Sequence, residues 1–199
     1  MSSALDLVTD ALGNDGISAI ADKLGVDSDG ATNAIGQALP MLLGALSHNA
    51  SDDDGAGSLF DALTNDHDGS ALSNPLDAML NGQGAKILGH IFGDKEDQAA
   101  QLLGDKSGIG AGGASKLLIM LAPLLLGALG KMMKSGGGSK GDLQSQLERD
   151  AAKAKEKDSG DLMGGLGDIL GGVLGGSGGS GGSGSSGVLG SILGKVLGR

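Results

Sequence analysis

The feature that most constrains this chain is an internal repeat. Shifted by 83 residues without a gap, Ala19 to Leu46 falls on Leu102 to Leu129 with 11 identities in 28 pairs. The identities include Asp22/Asp105, Lys23/Lys106, Gly25/Gly108, Gly30/Gly113, Ala31/Ala114 and Pro40/Pro123. They end in Leu-Leu-Gly-Ala-Leu over Leu-Leu-Gly-Ala-Leu. Each copy reads as a helix, a glycine turn and a proline-kinked helix, a unit too small to bury its own apolar face. The two copies are therefore expected to share one core about a pseudo-twofold axis. Phe60 and Phe92 are the only aromatic residues, so that core must be filled by Leu, Ile, Val, Met and Ala. Such side chains suit short packed helices better than strands, which favour β-branched and aromatic residues. The fold class that follows is all-α: a compact multihelical domain of two helix-turn-kinked-helix units, with a disordered glycine-rich C-terminal tail.

Around the repeat, apolar spacing and glycine stops place further elements. Leu5, Val8, Ala11 and Leu12 predict a helix from Ser3 to Leu12 closed by Gly13, and a second runs from Ile17 to Leu24. Asp27 or Ser28 caps a third, from Asp29 to His48, in which Pro40 either kinks the helix or starts a new one. Asn49 to Gly57 reads as an acidic loop, Ser58 to Leu63 as a short helix and Asn65 to Asn74 as a polar loop. Pro75 starts a helix through Leu80, and Ala85 to Phe92 forms another. Lys131 to Gly141 reads as a basic hinge. Asp142 to Lys157, with Leu143 and Leu147 its only large apolar residues, reads as a solvated, marginal helix.

Beyond it lies a second, shorter repeat. Leu166 to Gly175 recurs as Leu189 to Gly198, identical at 8 of 10 positions, across a linker of only Gly and Ser from Ser177 to Gly187. The apolar residues Leu166, Ile169, Leu170, Val173 and Leu174, and again Leu189, Ile192, Leu193, Val196 and Leu197, form one helical stripe per copy. Glycine on the other faces costs roughly 1 kcal/mol each relative to alanine, so neither copy should hold a helix alone in water. These ten residues are the candidate partner-binding positions, mobile until they meet an apolar surface. The domain organisation expected is 1–131 for the duplicated domain, 132–158 for the hinge and marginal helix, and 159–199 for the tail.

Charge excludes some partners. Residues up to Gly110 carry 17 acids against 4 bases, and the rest 7 acids against 10 bases, for a net charge of −10. The acidic part repels nucleic acid and anionic lipid. Lys195 and Arg199 allow weak contact with an anionic membrane surface, though Asp168 and the glycines argue against a strong anchor. No cysteine is present, which removes disulfides, zinc-thiolate sites and thiol nucleophiles. Met1-Ser2-Ser3 lacks the start of a signal peptide, and the expected localisation is cytoplasmic. The apolar run Leu117 to Leu129, broken by Pro123, is shorter than the ~20 residues of a membrane span and is expected to be a core helix.

Several motifs carry a family resemblance: Leu39-Pro40-Met41-Leu42-Leu43-Gly44-Ala45-Leu46, Asp66-His67-Asp68-Gly69, Asn74-Pro75-Leu76, Ile87-Leu88-Gly89-His90-Ile91-Phe92-Gly93 and Ala122-Pro123-Leu124-Leu125-Leu126-Gly127. Over about Leu5 to Lys131 the chain resembles the bacterial DUF937 family, related to the YidB-like proteins. The Gly-Leu-Gly-Asp-Ile-Leu-Gly-Gly tail is similar to tails in that family. The resemblance implies a compact multihelical bacterial protein and brings no activity or catalytic residue with it.

Chemistry-bearing motifs are sparse. Ile17 to Ile35 has the spacing of a DNA-binding helix-turn-helix, but no Lys or Arg lies between Val26 and Leu46 to meet phosphates. Asp66-His67-Asp68 with Asp52 to Asp54 and His48 would make an oxygen-rich cation site; two solvated loops are the plainer reading. His90 is expected to be partly buried and bonded to a carbonyl. Gly108 to Gly113 is glycine-rich but follows no strand, so it reads as the repeat's turn rather than a phosphate loop. No enzyme, metal or cofactor is expected. The function expected is a non-enzymatic interaction or self-assembly protein, the alternative being a nucleic-acid-associated regulator that uses the hairpin and the basic stretch Lys131 to Lys157.

Overall fold

A serine and an aspartate three residues apart start the first helix. Ser3 Oγ accepts from the Asp6 N–H at 3.2 Å while Asp6 Oδ2 accepts from the Ser3 N–H at 3.0 Å, a reciprocal capping box. The computed structural model describes residues 3–65, 69–136, 138–157 and 161–171, and among these the chain is helical with no strand. Helix α1 spans Ala4–Leu24 and breaks at Gly13, whose φ of 52° and ψ of −165° are not helical, so the two helices expected there meet at this glycine. Gly25, at φ 71°, ends it by donating its N–H to Ala21 O at 2.8 Å. Asp27 then caps α2, Ser28–Asn49, by accepting from the Gly30 N–H at 2.7 Å.

The second copy repeats this device 83 residues on. Helix α7, Glu96–Ser107, ends where Gly108, at φ 76°, donates to Gly104 O at 3.0 Å, and α8, Gly110–Gly136, follows. Pro40 and Pro123 lie inside α2 and α8 and end neither. The two long helices pack on each other, and each also packs on α1 and α7, so the hairpins interlock. Leu42, Leu43, Leu125 and Leu126 are all buried in one continuous hydrophobic cluster. Helix α8 is apolar enough over Gly110–Ser135 to qualify as a membrane span by length and composition, yet 72% of the tested window is buried by the rest of the domain, as befits a core helix.

Between the copies, α3 spans Asp53–Asn65, α4 Ser70–Ser73, α5 Pro75–Leu80 and α6 Gly84–Phe92, the last followed by a 3-10 turn at Gly93–Lys95. Helix α3 begins inside the expected acidic loop because Asp52 Oδ1 accepts from the Gly55 N–H at 2.7 Å. The basic hinge expected from Lys131 is still helix up to Gly136.

The segment read as solvated and marginal joins the core. Helix α9, Lys140–Lys157, packs on α2 and α3, with Leu143, Leu147, Asp150 and Ala154 buried along one stripe. Its spacing hid this because alanine and aspartate supply half the stripe. Asp150, 1% exposed, accepts from the Ala4 N–H at 3.5 Å, placing its charge at the N-terminus of α1 where the helix dipole favours an anion. Gln144 donates to Ala50 O at 2.9 Å, and Lys140 pairs with Asp53 at 3.1 Å. Ser139 and Asp142 cap α9 as Ser3 and Asp6 cap α1, and the hydrogen bonds from the Ser139 backbone and hydroxyl lower the Asp142 pKa. The last described helix is α10, Asp161–Gly171.

The two prolines have different neighbours. Pro123 has no N–H to give Ile119 O, its helical partner four residues back. The start of α6 fills that spot: a Cβ on Gly84 would lie 1.9 Å from Ile119 O, so only glycine fits. Pro40 likewise releases Gly36 O, but there a cavity of about 310 Å³ remains, lined by Leu5, Thr9, Gly36, Pro40, Ala154 and Leu162 among others.

Substituting Gly84 by alanine therefore forces α6 off α8 and should lower stability by about 1–3 kcal/mol or more, as overpacking does. Gly89→Ala, on the open face of the same helix with nothing within 4 Å, should be neutral or stabilising by up to about 1 kcal/mol. Urea midpoints of the two variants check the pair. Coincident single transitions by circular dichroism and by amide NMR should accompany them, because the copies share one core.

Candidate functional site

Helix α10 carries the sequence-predicted stripe onto the domain. It lies across α2 and α7, with Leu162 and Leu166 buried, Leu170 half-buried against the core and Ile169 half-exposed. Val173, Leu174, Leu189, Ile192, Leu193, Val196 and Leu197 lie outside the described residues. The described part of the first copy, 166–171, thus lies on its own chain, where the sequence suggested a mobile segment awaiting a partner. Leu162 was missed because it precedes the repeated decapeptide, although it stands one turn before Leu166.

Glycine makes this docking both close and weak. A Cβ at Gly165 would meet Leu102 Cδ2 at 3.0 Å, so the small residue lets α10 settle onto α7. Burying two leucines contributes roughly 1.5–3 kcal/mol each. Gly164, Gly165 and Gly167 in the helix interior offset roughly 1 kcal/mol each. The balance leaves α10 a helix that exists because of its seat.

A larger groove opens further along, at the C-terminal end of α2. It measures about 710 Å³ and lies where the C-terminal end of α2 meets α3, α6 and α8. Leu46, Leu59, Ile87, Ile91 and Leu126 supply its apolar lining, while His48, Asn49, Ser51, Asp52, Ser58 and His90 supply the polar part. Its wall is tied by Asn49, whose Nδ2 donates to Ile91 O at 2.8 Å and joins the end of α2 to the last turn of α6. This volume lies within the range of ligand-binding clefts, and its mix of apolar lining and few polar groups is their usual chemistry.

The structure brings His48 and His90 to one groove although 42 positions separate them in sequence. His90 is exposed rather than partly buried, because α6 turns Gly84, Ile87, Leu88 and Ile91 inward and leaves residue 90 on the outer face. The carboxylates once grouped with His48 have other duties: Asp52 caps α3 and Asp53 pairs with Lys140. Asp66, His67 and Asp68 lie outside the described residues. Among the described residues, no group of three or more His, Asp or Glu side chains is placed to hold a metal ion.

Residues 6–132 match the family model described as bacterial protein of unknown function, DUF937. The chain belongs to the DUF937 family. Comparison with curated proteins and with solved structures finds no significant match. In this DUF937 protein the matched span runs from the first turn of α1 to the last turns of α8, and so includes all four walls of the larger groove. Helices α9 and α10 follow it.

Asn49→Ala should cost about 1 kcal/mol by deleting the α2–α6 hydrogen bond. It should also raise hydrogen exchange in the last turn of α6 while leaving α1 unchanged, which amide exchange read by NMR can check.

Proposed function

We propose that this DUF937 protein is a non-enzymatic docking domain whose ligands are short apolar helical segments. The observation that carries this reading is α10 itself: a glycine-rich, marginal helix seated on α2 and α7 by Leu162 and Leu166. The open groove of about 710 Å³ supplies a second surface of the same character. Leu76 and Leu80, one turn apart on α5, are exposed at 42% and 61% and form a separate apolar pair at the surface. A docking domain needs shape and apolar area rather than a reactive group. In the larger groove, the residues that line it combine aliphatic side chains with hydroxyls, an amide, one carboxylate and two imidazoles.

The nucleic-acid reading has less to support it. Helix α2 stands where a recognition helix would, and the face it leaves exposed carries Asp29, Thr32, Asn33 and Gly36, with no Lys or Arg to meet phosphates. Asp27 and Asp29 stand at its N-terminal end, which would approach the bases. Lys140, in the basic stretch, pairs with Asp53.

A labelled peptide of residues 161–171 should bind the double variant Leu162→Asp, Leu166→Asp saturably, since that variant vacates the seat. It should bind the unaltered chain far more weakly, because resident α10 competes at a high effective concentration. Circular dichroism of the variant controls for its fold, and failure of the folded variant to bind the peptide overturns the docking reading. Labelled duplex DNA at low salt should show no mobility shift; a micromolar shift that weakens steeply with salt would restore the regulator.

A further inference from the structure

The second tail stripe fits the seat of the first less well than the first does. Aligned at the tail's offset of 23 residues, Val188 stands in place of Gly165 and Ser185 in place of Leu162. A Cβ at position 165 already meets the Leu102 methyls at 3.0 Å and 3.1 Å, so valine there fits only if the Leu102 side chain shifts. Serine in place of the buried leucine removes an anchor. An apolar stripe of Leu189, Ile192, Leu193, Val196 and Leu197 is left with more to gain from another surface.

The duplicated architecture shows where one is open. On α8, the face bearing Gly127 and Lys131 is covered by the chain around α4: a Cβ on Gly127 would meet Ala71 at 3.0 Å, and one on Gly69 would meet Lys131 Cβ at 2.9 Å. The 83-residue shift carries Gly127 and Lys131 to Gly44 and His48 on α2. His48 lines the open groove. The covering segment on α8, Gly69-Ser70-Ala71-Leu72-Ser73, combines small residues with a leucine. The second stripe, Leu189-Gly190-Ser191-Ile192-Leu193-Gly194, has the same character.

Charge selects the same pairing. Residues 188–199 contain Lys195 and Arg199 and no acid, whereas the first stripe carries Asp168 and no base. The groove is lined by Asp52 and by no Lys or Arg, and α3 beside it exposes Asp53, Asp54 and Asp61 and has no basic residue. From Gly171, the 16 residues 172–187 reach about 20–24 Å r.m.s. as a flexible glycine-rich chain, on the scale of the domain itself. We propose that residues 188–199 dock as a helix in the α2–α3–α6–α8 groove of the same chain, an inference that rests on the docking function above and names its ligand.

The cysteine-free sequence allows a single reporter to be placed without background. A nitroxide on Ser191→Cys in the full chain should broaden the amide signals of Ser51, Ser58, Ala62 and His90 more strongly than those of Thr9 and Gln37 at the smaller cavity. Mixing isotope-labelled chain with a separate nitroxide-bearing chain should give no broadening. Ile192→Asp with Leu193→Asp should abolish the effect, and Lys195→Glu with Arg199→Glu, or added salt, should weaken it. Uniform broadening, broadening at Thr9 and Gln37 stronger than at the groove, or broadening in the mixed sample overturns the proposal, the last by making a second copy the occupant. The peptide experiment with residues 161–171 reads a different seat, so the docking function and this assignment fail separately.

Discussion

The structure depends on the mutual burial of two long aliphatic helices, each containing a proline. With only two phenylalanines in the chain, no large ring fills space at the crossing of α2 and α8. Leucine, alanine and methionine must interdigitate over many turns instead, and dispersion between well-fitted aliphatic groups accumulates only when the backbones come close. The left-handed glycines at 25 and 108 make this possible by folding α1 back along α2 and α7 back along α8. The interlocked hairpins then leave the outer faces of α2 and α8 to be covered, and every other helix serves that need.

The covering is unequal, and the inequality has functional consequences. Helices α4, α5 and α6, all inserted between the copies, lie on α8. Helix α2 receives α9 and α10 from beyond the second copy. Around α8 the fit is close enough that Gly84 and Gly127 admit no side chain without displacement. The cavity of about 310 Å³ lies beside α2 at Pro40, and the larger groove lies between the end of α2 and Leu126 of α8. The two copies thus share a framework but take their cover from different parts of the chain.

Sequence patterning carried the framework well, because it is local. The capping serine, the glycine stops, Pro75 and the period of the α6 apolar residues all act within a few positions, and the helices stand where those signals lie. The repeat conveyed the shared core for the same reason, since a gapless offset is visible without any tertiary knowledge. What the spacing concealed was burial created by distant partners. Helix α9 looks polar because Ala154 and Asp150 count for little on any apolar scale, yet both are buried. The stripe of α10 was legible, but its partner surface within the chain was not. The larger groove was invisible, because its residues arrive from four helices between Leu46 and Leu126, and neither His48 nor His90 has a local pattern that points to the other.

The placement of Asp150 against Ala4 has a meaning for how the molecule is made. The two residues lie 146 positions apart, so the N-terminal turn of α1 gains its acidic partner only after nearly all of the described chain has been synthesised. The outer face of α2 waits equally long for α9 and α10, while α8 receives its cover from segments translated before it. A nascent chain emerging from a ribosome therefore passes through a stage in which one long aliphatic surface is finished and uncovered. Non-local closure of this kind slows folding and exposes intermediates to neighbours. On a polysome, where several copies emerge side by side, that interval is when one chain's late helices have the opportunity to settle on another's α2.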